Sequence, residues 1–117
     1  MTPSPINTNS INTNPDLISL ETPGDILRTE FLEPMGITAY ALAKAVGVPQ
    51  IRISEVLHGK RAITAETSLL LDRFFGLSDG YWFRLQSDYD LRRARRAMAE
   101  RLGQVQPYVQ AVLAAGG

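Results

Sequence analysis

Residues 38–59, from Thr38 to Gly59, constrain this chain more than any other stretch, because their pattern closes only as two short helices joined by a tight turn. Thr38 suits a helix N-cap, since its hydroxyl can take up an orphan N–H of the first turn. Leu42, Ala43 and Val46 then share one helical face, and Ala43 is small where a second helix must cross closely. Gly47 can end the helix in the left-handed conformation. Val48 packs into the corner, and Pro49 starts the next helix, where a missing N–H costs nothing. In that second helix Ile53, Val56 and Leu57 form the buried stripe, while Gln50, Arg52, Ser54 and Glu55 stay polar near its N-terminal half. An ordinary helical hairpin needs the same apolar positions. The small–Gly–apolar punctuation of the turn, with Lys60-Arg61 directly after the second helix, points instead to a DNA-binding helix-turn-helix whose second helix enters the major groove.

At 117 residues the chain makes one domain with a self-supporting core. It has no cysteine and a single histidine, His58, which excludes disulfides and thiolate sites and leaves no histidine-based metal centre. No apolar run approaches the ~20 residues of a membrane span, and no secretory signal opens the chain, so a cytoplasmic protein is expected. Formal net charge is zero, which is not the balance usual for a DNA binder. The distribution is more telling. Residues 34–63 carry four bases and one acid, between residues 1–33 with five acids and one base and residues 64–90 with five acids and two bases. Residues 91–117 carry five bases and one acid. The helix-turn-helix is a basic island between acidic neighbours, which suits DNA at its own face and a basic protein elsewhere.

Residues 1–21 are rich in Asn, Pro, Ser and Thr without any period, and read as an arm that is disordered, or ordered only by a partner. The folded unit is expected over residues 22–96. Thr22-Pro23 opens a first helix, roughly 23–34, that buries Ile26, Leu27, Phe31 and Leu32 and ends at Pro34 and Gly36. Thr64 caps a fourth helix running to Phe75, with Leu69, Leu70, Phe74 and Phe75 as its buried face. Ser78 is read as the cap of a fifth, in which Trp82, Leu85 and Tyr89 recur at helical spacing. The arginines at 92, 93, 95 and 96 suit a solvated face. Residues 97–117 form an Ala-rich extension with helical potential, broken near Gly103 and Pro107.

Base readout falls to Gln50 and Arg52, since glutamine pairs bidentately with adenine and arginine with guanine. Ile51 either touches a thymine methyl or faces the core. Glu55 either accepts from cytosine or orients Arg52. Thr38, Ser54, His58, Lys60 and Arg61 are the candidate phosphate contacts, which hold register rather than specify sequence. Tyr81, Trp82, Leu85 and Tyr89 are divided between core and a two-fold seam. His58 has no nucleophile or acid at a catalytic spacing, and Gly59-Lys60 lacks the earlier glycine of a phosphate-binding loop. Neither an enzyme nor a cofactor is expected.

With these elements placed, the chain resembles the lambda-repressor-like (Xre-type) helix-turn-helix proteins over residues 23–76. Within them it is similar to the HigA antitoxins of type II toxin–antitoxin systems. The narrower likeness lies in Thr22-Pro23-Gly24 with Leu27, in Pro34-Met-Gly-Ile-Thr38, in Leu57-His-Gly-Lys-Arg-Ala-Ile63, and in Tyr81-Trp-Phe-Arg-Leu-Gln-Ser-Asp-Tyr-Asp-Leu91. Trp-x-x-Leu-Gln-x-x-Tyr-Asp-Leu serves no general helix-turn-helix purpose. The resemblance implies an all-α fold with a five-helix domain. It also implies a homodimer that binds double-stranded operator DNA to repress its own operon, and that silences a basic, mRNA-cleaving toxin of the HigB (RelE-like) kind. No membrane or small-molecule substrate enters. His58 stands where the family more often has Asn, Glu55 where it often has a basic residue, and the arm is longer than usual. A stand-alone Xre-type repressor, or a helical module that binds only protein, fits the same residues without the toxin.

Overall fold

The computed structural model describes residues 20–109 and residue 115, and every regular element among them is helical. Helix α1 runs without a break through Pro23–Ile26, Leu27–Leu32 and Glu33–Met35. It is followed by α2 (Ala39–Val46), α3 (Gln50–Leu57), α4 (Ala65–Phe75), α5 (Tyr81–Ala97) and a short α6 (Ala99–Gln104). This is the expected all-α, five-helix arrangement with a helical piece after it. The arm lies outside the described residues apart from Leu20 and Glu21. None of the described helices is long and apolar enough to cross a membrane.

Local sequence starts and stops these helices. At α1, Asp25 N–H donates to Thr22 Oγ1 (3.0 Å) while Thr22 N–H donates to Asp25 Oδ2 (3.1 Å), a reciprocal capping box. Thr38 and Thr64 cap α2 and α4 by accepting the Ala41 and Thr67 N–H groups at 3.0 and 3.3 Å. The middle of α1, Leu27–Leu32, is wound as a π-helix, and Glu33 N–H reaches back five residues to the Arg28 carbonyl. Pro34 accounts for this widening. A proline ring crowds the carbonyl four residues before it, and a wider turn ahead of it opens that space. The chain breaks after α5 at Met98 and again where α6 ends at Gln104, between Gly103 and Pro107 as expected, and every described residue from Leu91 onward is exposed.

The core gathers Leu27, Leu32, Leu42, Ala43, Ile53, Val56, Ile63, Leu71 and Trp82, all buried. Trp82 is its largest member and wholly enclosed, with the rings of Phe31 and Tyr81 edge-on at 5.1 and 5.5 Å. Phe31 in turn meets Phe75 at 4.9 Å, so α1, α4 and α5 are tied by one aromatic cluster. The Trp82 indole N–H is buried with no hydrogen-bond partner among the described residues.

Helix α4 overturns the expected buried face. Leu69, Leu70 and Phe74 are exposed and Phe75 is only partly buried, whereas Thr67, Ser68, Leu71 and Asp72 point inward. Polar groups occupy the inner face because α5 needs them there. The Asp72 carboxylate accepts from Gly80 N–H (2.7 Å) and Trp82 N–H (3.3 Å), and from the Ser68 hydroxyl (3.0 Å). Ser68 Oγ itself accepts from Phe83 N–H at 2.9 Å. Helix α5 is therefore capped by a neighbouring helix and not by Ser78. It starts at Tyr81 after Gly80, whose φ of 89° only glycine adopts readily. A carboxylate at this end also complements the helix dipole.

Two outcomes follow. Asp72→Ala strands buried N–H and O–H donors and should cost about 3 kcal/mol in urea unfolding, against about 1 kcal/mol for Asp72→Asn, which keeps an acceptor. Equal and small losses would show that α5 is held by packing alone. The backbone N–H of Thr22 holds the Asp25 carboxyl below its usual range, helped by the Thr22 hydroxyl and Arg28 and opposed by partial burial. The lowered group stabilises the fold above the ordinary aspartate value, and that contribution disappears as pH falls through the folded-state value. Urea midpoints at about pH 5 and pH 2.5, across the ordinary aspartate value, should therefore fall more in the parent chain than in Asp25→Asn; equal falls would contradict the assignment.

Candidate nucleic-acid interface

The α2–turn–α3 unit is built as its sequence demands. Gly47, at φ 78°, and Val48 both donate N–H bonds to the Ala43 carbonyl, at 2.9 and 3.0 Å, and this folds the chain sharply toward α3. Pro49 is the N-cap of α3, one position earlier than expected, and its carbonyl accepts from Arg52 N–H at 3.0 Å. Ile53 and Val56 face the core. Gln50 and Ile51 stand exposed at the start of the helix, Ile51 at 63%, which settles its direction as outward. Arg52, Ser54 and Glu55 are half-buried along the same helix.

The C-terminal end of α3 governs the phosphate candidates. Gly59 N–H donates to the Val56 carbonyl (3.1 Å) and Lys60 N–H to the Glu55 carbonyl (2.8 Å), the paired bonds of a Schellman motif. This fold-back brings Arg61 beside Glu55, where Arg61 Nε donates to Glu55 Oε1 at 2.7 Å. The expected role of Glu55 in orienting Arg52 is corrected accordingly: the Lys60 backbone bond delivers Arg61 to it instead. His58 Nδ1–H donates to the Ser54 carbonyl at 2.8 Å, so Nε2 is the ring nitrogen directed to an outside group. Thr38 is engaged as the α2 cap and remains exposed. Lys60 is exposed.

Contacts from α1 and α5 frame this end. A Cβ on Gly24 would overlap the Val56 carbonyl, so glycine is what lets α1 press against the last turn of α3. The loop closes on Ile63, whose side chain is buried and whose N–H donates to Gln86 Oε1 at 2.9 Å. Gln86, itself buried, spends its other end on Asp90, Nε2 to Oδ1 at 3.0 Å. The Gln and Asp of the α5 pattern thus hold the loop that carries Lys60 and Arg61. Sequence reading ranked neither as a site residue, and only the spacing of the α5 pattern could have drawn attention to them. It also passed over Tyr40 and Lys44, exposed at i, i+4 on α2, with Lys44 Nζ 6.0 Å from the Tyr40 ring centre. Of the four aromatic-stripe residues, Trp82 is core, while Tyr81, Leu85 and Tyr89 are half-buried.

The helix-turn-helix family matches residues 30–82. Virulence-associated protein I of Dichelobacter nodosus is 49% identical over 74 residues, 63% of this chain and 68% of that protein. Antitoxin HigA-1 of Vibrio cholerae is 37% identical over 84 residues, 72% of this chain and 79% of its own length. Among solved structures, the Pseudomonas aeruginosa antitoxin HigA with the higBA promoter is similar at a TM-score of 0.71 and 34% identity, over 75% of this chain and 97% of that one. The all-helical fold agrees with these likenesses, and the chain belongs to the HigA antitoxin family of helix-turn-helix proteins.

Proposed function

We propose that the protein is an antitoxin-repressor. As a homodimer it binds operator DNA upstream of its own operon, and it silences a basic, RelE-like mRNA-cleaving toxin. The observation that carries the DNA half is the outward start of α3, where Gln50 and Ile51 stand exposed between the capped end of α2 and the Lys60-Arg61 loop. Helix α3 enters the major groove, with Gln50 and Arg52 on base edges and Ile51 against a thymine methyl. Glu55 acts on this face chiefly by holding Arg61 in place. Thr38, Ser54, His58, Lys60 and Arg61 flank the groove as phosphate contacts. Residues 22–96 are the working unit, and residues 97–117 are an extension. A half-buried Tyr81 and Leu85 fit a two-fold seam beside the core. The toxin half rests on family membership and on the acidic stretch Asp16, Glu21, Asp25, Glu30 and Glu33, which complements a protein that must itself be basic to hold RNA.

Gel shifts with the protein's own upstream DNA, and co-expression with the product of the neighbouring gene, test the two halves separately. Gln50→Ala and Arg52→Ala should each weaken operator binding by about 1–3 kcal/mol and leave random-sequence binding nearly intact. Equal losses on both DNAs would move the residue to the backbone class. Arg61→Ala should weaken binding to every sequence and lower the salt slope by about one unit. An unchanged slope would mean that the Glu55 pair points Arg61 away from DNA. Growth arrest that persists in cells co-expressing this chain with the neighbouring gene product would remove the antitoxin half and leave a stand-alone repressor.

A further inference from the structure

One basic feature lies outside the helix-turn-helix. Between the α3–α4 loop and the middle of α5 there is a cleft of about 200 Å³, walled by Lys60 and Arg61 on one side and Arg93 on the other. Three cations from two elements converge there against one carboxylate, Asp90, which is engaged by Gln86 Nε2. The Ile63–Gln86 bond ties the loop to α5, and the Arg93 guanidinium carbon lies 5.6 Å from the Tyr89 ring centre, a cation–π contact at the edge of the cleft. Arg61 meets Glu55 through Nε, so its terminal nitrogens carry further donors. The Gly24 approach seats the start of α1 at the same place, and Thr22, Pro23 and Gly24 also line the cleft.

We propose that this cleft seats a phosphate of the DNA backbone, and that Arg93 is the cation α5 contributes to it beside Lys60 and Arg61. The inference rests on the operator-binding reading. It adds α5 to the DNA-contacting surface, which would otherwise end with the loop. A guanidinium suits the seat because its forked donors match phosphate oxygens, and the neighbouring ring limits the freedom it must give up. The contact is to backbone, so it holds register and adds to affinity for any sequence.

The test measures affinity for the upstream operator duplex and for a random duplex by fluorescence anisotropy across a salt series. Arg93→Ala should lower the slope by about one unit on both duplexes. Arg93→Lys, which keeps the charge, should keep the parental slope. So should Arg95→Ala, an exposed arginine of the same helix that does not line the cleft. Thermal melts of each variant confirm an intact fold, since Arg93 is exposed. A parental slope in Arg93→Ala overturns the seat and leaves operator binding standing, handing the cleft to an acidic protein segment. An equal loss in Arg95→Ala or Arg93→Lys also overturns it. A parent chain without affinity for its upstream DNA overturns both readings.

Discussion

The Asp72 carboxylate is fully buried at the far end of α4, where it takes the first N–H groups of α5 and the Ser68 hydroxyl at 2.7 to 3.3 Å. Burial of such a group is costly unless every lone pair is met, and here the donors converge from two elements. The direction of α5 is set by this contact. With α5 aligned, Trp82 reaches the centre of the core, and Gln86, one turn further, reaches the Ile63 N–H. Ile63 closes the loop that begins at Gly59, so the position of Lys60 and Arg61 depends on how α5 is seated against α4.

Three contacts then bound the surface proposed to face DNA. Gly24 lets α1 press on the Val56 carbonyl, the Schellman turn at Gly59 folds Arg61 back onto Glu55, and Gln86 anchors the far end of the loop. A pinned loop loses little conformational freedom when it binds a ligand, which favours affinity without new contacts. The acidic and basic segments of a neutral chain are separated accordingly: the cations of residues 34–63 sit on the α2–α3 face and its loop, and acidic Asp25, Glu30 and Glu33 belong to α1.

Much of this was legible in the chain. Thr22, Thr38 and Thr64 announce helix starts, Gly47 announces the turn, and Ile53 and Val56 mark the inner face of α3, because each acts on residues within a few positions of itself. Apolar periodicity failed on α4, where Ser68 and Asp72 turn inward and Leu69, Leu70 and Phe74 turn out. A periodic count assumes that the inner face is the apolar one, and it cannot register a carboxylate whose donors belong to a helix eight to ten residues on. The same limit hid the cap of α5, assigned to Ser78 from local pattern. It hid the partner of Glu55 too, since Arg61 reaches it only through the fold-back at Lys60. The signature in α5 was visible as a pattern and opaque as a mechanism until Gln86 and Asp90 were seen to hold the loop.

The central claim, that α5 sets, through Gln86, the Lys60-Arg61 loop proposed to meet DNA, is tested most directly by a double-mutant cycle of Gln86→Ala and Arg61→Ala on operator affinity. If Gln86 acts by positioning the loop, the two losses overlap: once Arg61 is gone, removing Gln86 costs markedly less than it does in the parent chain. Strictly additive losses would contradict the account, and would mean that Gln86 serves the stability of the fold without governing the placement of Arg61.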